Sequence, residues 1–227
     1  MSIQSIVSSS HIHLADQKCR TVTKISQDSL IMEILQRTND RFREGVPVQV
    51  MRMESITTMW VRIVGFPKIT QTLYSEMTNR DMEYLPKKKS LKTGMLVAVL
   101  AEFGGRAIWE RALLLQRTME GYIVLLIDWG LEIEQPLDTI RLLPRNLAQM
   151  APWARRIVLR GVREQPVQGR QHRVAQFSML RRTGTLVDVD PSPGEAITAR
   201  LVLDAEPGEI QGDMGAFWLE KGYLDPQ

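Results

Sequence analysis

The groups best suited to recognition chemistry in this 227-residue chain lie in the stretch "LLIDWGLEIE", residues 125–134. A hydrophobic run ends at Asp128, Trp129 and Gly130 follow, and acidic residues then take over. A carboxylate attracts a cation by charge, and a large aromatic ring attracts it through its negative face. The two groups side by side at a strand end favour a cationic ligand.

The charge distribution supports this interpretation. The whole chain has a net charge of +3, whereas residues 94–144 contain seven acidic residues and only four arginines. Phosphate binding requires clustered lysine and arginine. We therefore expect the middle segment to face away from nucleic acid, although the chain's pI of about 9.1 mildly favours an acidic partner such as RNA.

Catalytic and metal chemistry are not indicated. The three histidines and the single cysteine, Cys19, lack the short paired spacings of a tetrahedral zinc site, and one cysteine permits no intramolecular disulfide. Metal-dependent nucleases need converging carboxylates and arginines, and no such grouping is present in the required order. A glycine-rich phosphate loop and a nucleophile elbow are also missing. We expect a non-enzyme without cofactor or metal.

The apolar runs are too short for a membrane. The longest, at 95–101 and 122–127, fall short of the roughly 20 residues that span a bilayer. The amino terminus has no charged start followed by an apolar run, as an export signal would have. We expect a soluble protein without membrane contact.

Hydrophobic periodicity divides the chain into segments. Residues 1–25 are polar and aperiodic, which predicts a flexible segment, and residues 26–45 have the spacing of an amphipathic helix that ends at Gly45. Residues 48–65 alternate apolar and polar side chains around one break, which indicates two antiparallel strands. Residues 70–85 then return to helical spacing.

The remainder of the chain is mostly β. At least four strands are predicted between residues 91 and 145, and the short gaps between them contain glycine, as in consecutive antiparallel pairing. About 50 residues in four or five strands suit a small closed barrel. Residues 146–227 mix strands with short helices, so the predicted class is mainly β with helices (α+β).

In this order the segments resemble an extended Tudor domain, in which a Tudor barrel is inserted into a staphylococcal-nuclease-like OB fold. The resemblance implies a barrel at 91–145, with 46–90 and 146–227 forming the two parts of the OB-like subdomain. It covers about residues 46–225 and is carried by the phrases "VQVMRMESITTMWVRI", "MLVAVLAEF", "IWERA", "VLLIDWG", "IRLLP", "APWARRIVLRGV" and "FWLEKGYLD".

The resemblance also implies a binding site. Barrels of this family usually hold methylated arginine in an aromatic cage, commonly from amino-terminal tails of Argonaute/PIWI proteins in the piRNA pathway. Carried over to this chain, Phe103 and Trp129 are the remaining rings. Glu110 and Leu126 stand where the family has further rings, and Leu131 stands where it has an asparagine.

Two of the acidic positions allow alternatives. Asp128 either faces the peptide or pairs with Arg111 on the neighbouring strand. If Trp109 points inward, Glu110 points outward by strand alternation, and outward glutamates are usually only solvated. Its assignment to a peptide site rests on the cage alignment.

The resulting hypothesis is a non-catalytic adaptor that binds an Argonaute/PIWI peptide through unmodified arginine, or without regard to methylation. A charge-assisted hydrogen bond to a partly desolvated carboxylate contributes about 1.5–3 kcal/mol, comparable with a lost cation–π contact. The family resemblance also implies a cytoplasmic, perinuclear germline granule (nuage). The oligomeric state is left open. The alternative is an RNA-binding OB/Tudor module that uses the basic groups "PKKKS", Arg155-Arg156, "GRQHR" and Arg181-Arg182.

Overall fold

A computed structural model of the chain describes residues 41–65, 75, 91–103, 105–165, 176–190, 196–205 and 212–227. The predicted flexible segment, the basic groups at 86–90 and 169–173 and most of both predicted helices lie outside these residues. Within the segment predicted as an amphipathic helix, residues 41–45 form turns that end at Gly45, whose φ is +78°. Phe42 in this segment is buried in the core of the OB-like subdomain.

The described part of the chain is built mainly from strands. In chain order these are β1 (Pro47–Met53), β2 (Thr58–Ile63), β3 (Leu96–Phe103), β4 (Arg106–Arg117), β5 (Gly121–Leu126), β6 (Leu131–Pro136), β7 (Ile140–Leu142), β8 (Ala154–Leu159), β9 (Val162–Glu164), β10 (Thr183–Asp190), β11 (Ile197–Leu203), β12 (Gly212–Asp213) and β13 (Leu224–Pro226). Helices described over their full length include α1 (Arg145–Ala148) and α2 (Met214–Glu220), residues 176–179 are also helical, and a 3-10 turn spans Leu137–Thr139.

Five strands from the two ends of the described chain close into one barrel. Their order is β10-β1-β2-β8-β11, and β11 returns to pair with β10. The β8–β11 pair is parallel and the other pairs are antiparallel. Alternation produces the core, because every second residue of β11, from Ile197 to Leu203, is buried. This is the five-stranded barrel expected for an OB fold.

A second barrel is formed by the chain between β2 and β8. Its five antiparallel strands have the order β6-β5-β4-β3-β7. Its core includes Val97, Val99, Ala112, Leu114 and Val124, which alternate along three strands. Because β2 and β8 are paired neighbours in the first barrel, the second one is an insertion in it. The predicted fold class, with one barrel inserted in another, is confirmed.

The junction between the two barrels is tightly packed. Gly130, in the turn after β5, has φ of +70°, and a Cβ added there would lie 2.6 Å from Cβ of Trp60 on β2. An ion pair of 3.0 Å joins Arg52 on β1 to Glu132 on β6. These contacts hold the turn that carries Trp129 against the OB-like barrel.

Helix α2 completes the OB-like core. Asp213 caps its first turn by accepting a hydrogen bond of 2.7 Å from the Ala216 N–H, and Met214 and Trp218 are buried beneath it. Among the described residues, no helix has the length and apolar character needed to cross a membrane.

Candidate functional site

Two aromatic rings meet at one end of the inserted barrel. Phe103 is the last residue of β3 and Trp129 lies in the turn after β5. Their rings stack with centroids 5.2 Å apart and planes inclined by 22°. Both side chains are half-buried and pack, with Leu131, on the barrel core. The structure therefore brings together the two rings and one of the leucines that the cage alignment selected.

Glu110 lies beside these rings and not in solvent. Strand alternation puts it on the same face of β4 as Ala112 and Leu114, which are in the barrel core. Trp109 points the other way, into a cluster with Ala98 and Leu147. The alternative of an outward, solvated Glu110 is therefore wrong, because Glu110 is only 1% exposed while Trp109 is buried on the opposite face of β4.

The surroundings of Glu110 favour its neutral form. Burial raises the pKa of its carboxyl from 4.5 to about 7, and the charge of Asp128 acts in the same direction. The indole N–H of Trp129 and the charges of Arg62 and Arg111 lower this pKa in part. The indole N–H is close enough to Glu110 to affect this pKa but does not complete a hydrogen bond of good geometry, because Oε1 of Glu110 and Nε1 of Trp129 are both buried without a hydrogen-bond partner. The end of the barrel thus contains a buried acceptor with unused capacity.

The assignment of Asp128 to a peptide contact is corrected by the structure. Asp128 is 1% exposed, and both of its carboxylate oxygens accept hydrogen bonds from Arg111, at 2.8 Å from Nε and 2.6 Å from Nη2. The backbone N–H of Trp153 donates a further hydrogen bond of 3.1 Å. Asp128 is therefore a structural residue, as the alternative interpretation of an Arg111 pair proposed.

Leu126 also requires correction as a peptide contact. It is completely buried within the barrel core, on which Phe103, Trp129 and Leu131 pack. Its backbone pairs with Ala112 on one side and with Leu131 on the other, so that it lies in a central strand. Leu126 supports the rings from below and offers no surface to a ligand.

Sequence reasoning missed one residue of the site. The guanidinium carbon of Arg62, on β2 of the OB-like barrel, lies 4.1 Å from the centroid of the Trp129 ring. Burial lowers the pKa of Arg62, while the charges of Glu110 and Asp128 oppose that shift. The only signal in the sequence is alternation, which places Arg62 on the same face of β2 as Trp60, the residue packed against Gly130.

The described arginines of the RNA-binding alternative serve mainly internal contacts. Arg155 is fully buried and Arg182 is 6% exposed. Arg156 donates a hydrogen bond of 2.6 Å to Glu54, and Arg181 is exposed. Of these four residues only Arg181 is exposed, so they do not form the clustered basic surface that RNA binding requires.

Comparison with known proteins agrees with this architecture. The family model described as "Tudor domain" matches residues 41–161, which is more than half of the 227-residue chain. No curated protein sequence matches the chain.

Solved structures of extended Tudor domains are similar to the chain. The human TDRD1 domain, in complex with a symmetrically dimethylated peptide, has a TM-score of 0.66 at 14% identity and covers 82% of this chain and 92% of its own. A mutant of the Drosophila melanogaster Papi domain, in complex with a dimethylated Piwi amino-terminal peptide, has a TM-score of 0.62 at 16% identity and covers 82% of this chain and 100% of its own. The Drosophila melanogaster Tudor-SN domain has a TM-score of 0.63 at 21% identity and covers 81% of this chain and 85% of its own.

These identities are low, so the structural matches establish the shared fold, and the family match establishes membership. The chain belongs to the Tudor domain family, and its inserted barrel and surrounding OB-like barrel have the fold of an extended Tudor domain.

Proposed function

We propose that this chain is a non-catalytic adaptor that binds an arginine-containing peptide from the amino-terminal tail of an Argonaute/PIWI protein. Membership of the Tudor family and the fold shared with peptide-bound extended Tudor domains support this proposal. The Papi domain mutant has been solved with Piwi amino-terminal peptides in both dimethylated and unmethylated forms. A fold of this kind therefore accommodates arginine in either form.

The observation that carries the proposal is the composition of the barrel end. Among the described residues it has two rings, Phe103 and Trp129, and they stack on each other; beside them lies Glu110, buried and with an acceptor oxygen unpaired. Methyl groups on a guanidinium improve its fit to an aromatic cage but remove N–H donors. With few described rings and one unpaired carboxyl oxygen, this site favours the donors over the methyl groups. Binding is therefore independent of methylation or favours unmodified arginine.

Titration with synthetic Argonaute/PIWI tail peptides tests this function. Each peptide is compared with versions in which one arginine at a time is replaced by alanine, and one of these replacements should abolish binding. Trp129→Ala should weaken binding of the parent peptide by about tenfold, within the 0.5–2 kcal/mol of a cation–π contact. Phe177→Ala is the matched control, because it removes an aromatic side chain that is 61% exposed and lies in the OB-like part.

Two results would contradict the proposed function. One is equal affinity for the parent and all alanine-substituted peptides, which would mean that no arginine is recognised. The other is unchanged affinity of Trp129→Ala with loss of affinity in Phe177→Ala, which would place the contact outside the barrel. Circular dichroism spectra of both variants should match that of the wild type.

A granule location follows from the proposed partner. We propose that the protein concentrates its partner in a perinuclear germline granule of the cytoplasm. In germ cells, the tagged wild-type protein should accumulate in such granules together with an Argonaute/PIWI protein. Recovery of the two proteins in separate compartments would contradict this part of the proposal.

A further inference from the structure

Trp129 already has an arginine beside it, supplied by the chain itself. Phe103 stacks on the Trp129 ring at 5.2 Å, and the Arg62 guanidinium lies 4.1 Å from the ring centroid. A planar ring has two faces, so these two neighbours take up the stacking capacity of Trp129. A peptide arginine cannot bind to this ring in the same manner while Arg62 stays in place.

We propose that Arg62 is an internal competitor for the arginine site, so that a peptide arginine binds at Trp129 only by displacing it. The inference rests on the proposed function and adds a regulatory and specificity-determining residue to the same site. Arg62 belongs to β2 of the OB-like barrel, whereas Trp129 and Glu110 belong to the inserted barrel. The competitor therefore lies across the junction of the two barrels.

Arg62 is held much less firmly than an arginine with a purely structural role. Arg111 donates five hydrogen bonds, two of them to Asp128 and three to the backbone carbonyls of Leu147, Met150 and Ala151. Among the described residues, Arg62 donates one side-chain hydrogen bond, of 3.3 Å from Nη2 to Oε1 of Gln49. Its Nε is buried without a partner. Displacing Arg62 thus breaks one side-chain hydrogen bond, in addition to the contact with Trp129 and the attraction to Glu110 and Asp128 that an incoming guanidinium can replace.

A peptide arginine gains an interaction that Arg62 does not make. Oε1 of Glu110 is buried and has no hydrogen-bond partner while Arg62 is in place. An unmodified guanidinium has five N–H donors and can reach such an acceptor from a new direction, whereas methylation removes donors. A ligand that satisfies Glu110 offsets the loss of the Arg62 contact. Arg62 therefore selects for ligands that engage Glu110.

Substitution of Arg62 separates competition from structural support. If Arg62 closes the site nine-tenths of the time, its removal raises the apparent affinity about tenfold. We expect Arg62→Ala to show this gain and Arg62→Lys a smaller one, because an ammonium lacks the planar guanidinium that stacks on a ring. Arg141→Ala is the matched control, since Arg141 lies 5.7 Å from the ring of Trp109 in the same barrel. It should bind as the wild type does.

The readout is the indole N–H resonance of Trp129 in a proton–nitrogen correlation spectrum, assigned by its loss in Trp129→Phe. Two probes are titrated, N-acetyl-arginine amide and the Argonaute/PIWI tail peptide. In Arg62→Ala, this resonance should shift at about one-tenth of the probe concentration that is needed to shift it in the wild type. If Arg62→Ala binds N-acetyl-arginine amide more tightly than the wild type does, but no variant binds the peptide, the result would support the competition and contradict the proposed function.

Equal or weaker binding of N-acetyl-arginine amide at Trp129 in Arg62→Ala than in the wild type would overturn the inference. In that case, peptide binding by the wild type would leave the proposed function intact. Should Arg62→Ala fail to fold, Arg62→Lys decides the matter. A gain over the wild type would support competition, and no gain would show that Arg62 only supports the junction.

Discussion

Arg111 and Asp128 form an ion pair with two hydrogen bonds, of 2.8 and 2.6 Å, in which both side chains are buried from solvent. The pair joins β4 to the turn after β5. The remaining hydrogen bonds of Arg111 reach carbonyls of residues 147, 150 and 151, which lead into β8. One arginine therefore links the inserted barrel to the returning chain of the OB-like barrel, and holds the turn that presents Trp129.

Arg111→Ala should destabilise the protein severely. The substitution leaves the buried Asp128 carboxylate without its partner, which costs about 3–5 kcal/mol. Urea unfolding at neutral pH measures the loss. Arg200→Ala provides the control, because Arg200 makes ion pairs of 3.0 and 2.8 Å on the surface and surface pairs contribute little. Equal losses in the two variants would contradict the structural role given to Arg111.

Strand positions and the class of fold could be predicted from the sequence because alternation records which side chains are buried. In β11 and in the strands of the inserted barrel, apolar residues recur at every second position and the structure buries those positions. The insertion of one barrel in another is predicted only through the family resemblance, from the order of the phrases that carry it. Local periodicity contains no information about such a connection.

The site could be predicted only in part, since its geometry depends on contacts between distant segments. The direction of Glu110 depends on which face of β4 meets the barrel core, and the pair Trp109–Glu110 alone does not determine this. Arg62 approaches Trp129 across the junction at which Gly130 packs on Trp60, a contact between segments about 70 residues apart. The Asp128–Arg111 pair, by contrast, is one of the two arrangements that the sequence predicts for Asp128.

Glu110→Gln should stabilise the protein above neutral pH. The folded-state pKa of Glu110 is raised from 4.5 to about 7. The folded protein therefore holds a proton that the unfolded chain releases, and stability falls as pH rises from about 4.5 to about 7. Glutamine removes this cost. The free energy of unfolding of the variant should therefore exceed that of the wild type by on the order of 3 kcal/mol at pH 8.

The gain from Glu110→Gln should shrink towards zero as the pH falls below about 4.5, where the carboxyl becomes protonated in both the folded and the unfolded state. Denaturant titrations at pH 5 and pH 8 measure the difference in free energy of unfolding between variant and wild type. The contributions of other titrating groups cancel in this difference. Glu134→Gln, at an exposed position of β6, should show no such change. A difference that stays constant with pH would mean that Glu110 titrates normally.

Gly130→Ala should cost more stability than Gly161→Ala. Both glycines have positive φ, at +70° and +75°, so an alanine would cause similar backbone strain at either position. Only at Gly130 does the new Cβ meet another residue, at 2.6 Å from Trp60, and such overpacking costs about 1–3 kcal/mol more. Thermal unfolding compares the two variants. Equal melting temperatures would argue against the tight junction that places Arg62 beside Trp129.

The central claim is that this barrel recognises the guanidinium through its N–H donors and not through methyl groups held in a cage. Its most direct test is a calorimetric titration of the wild-type chain with one Argonaute/PIWI tail peptide in matched forms, unmodified and symmetrically dimethylated at a single arginine. The unmodified peptide should bind at least as tightly as the dimethylated one. Clearly tighter binding of the dimethylated peptide would contradict the claim.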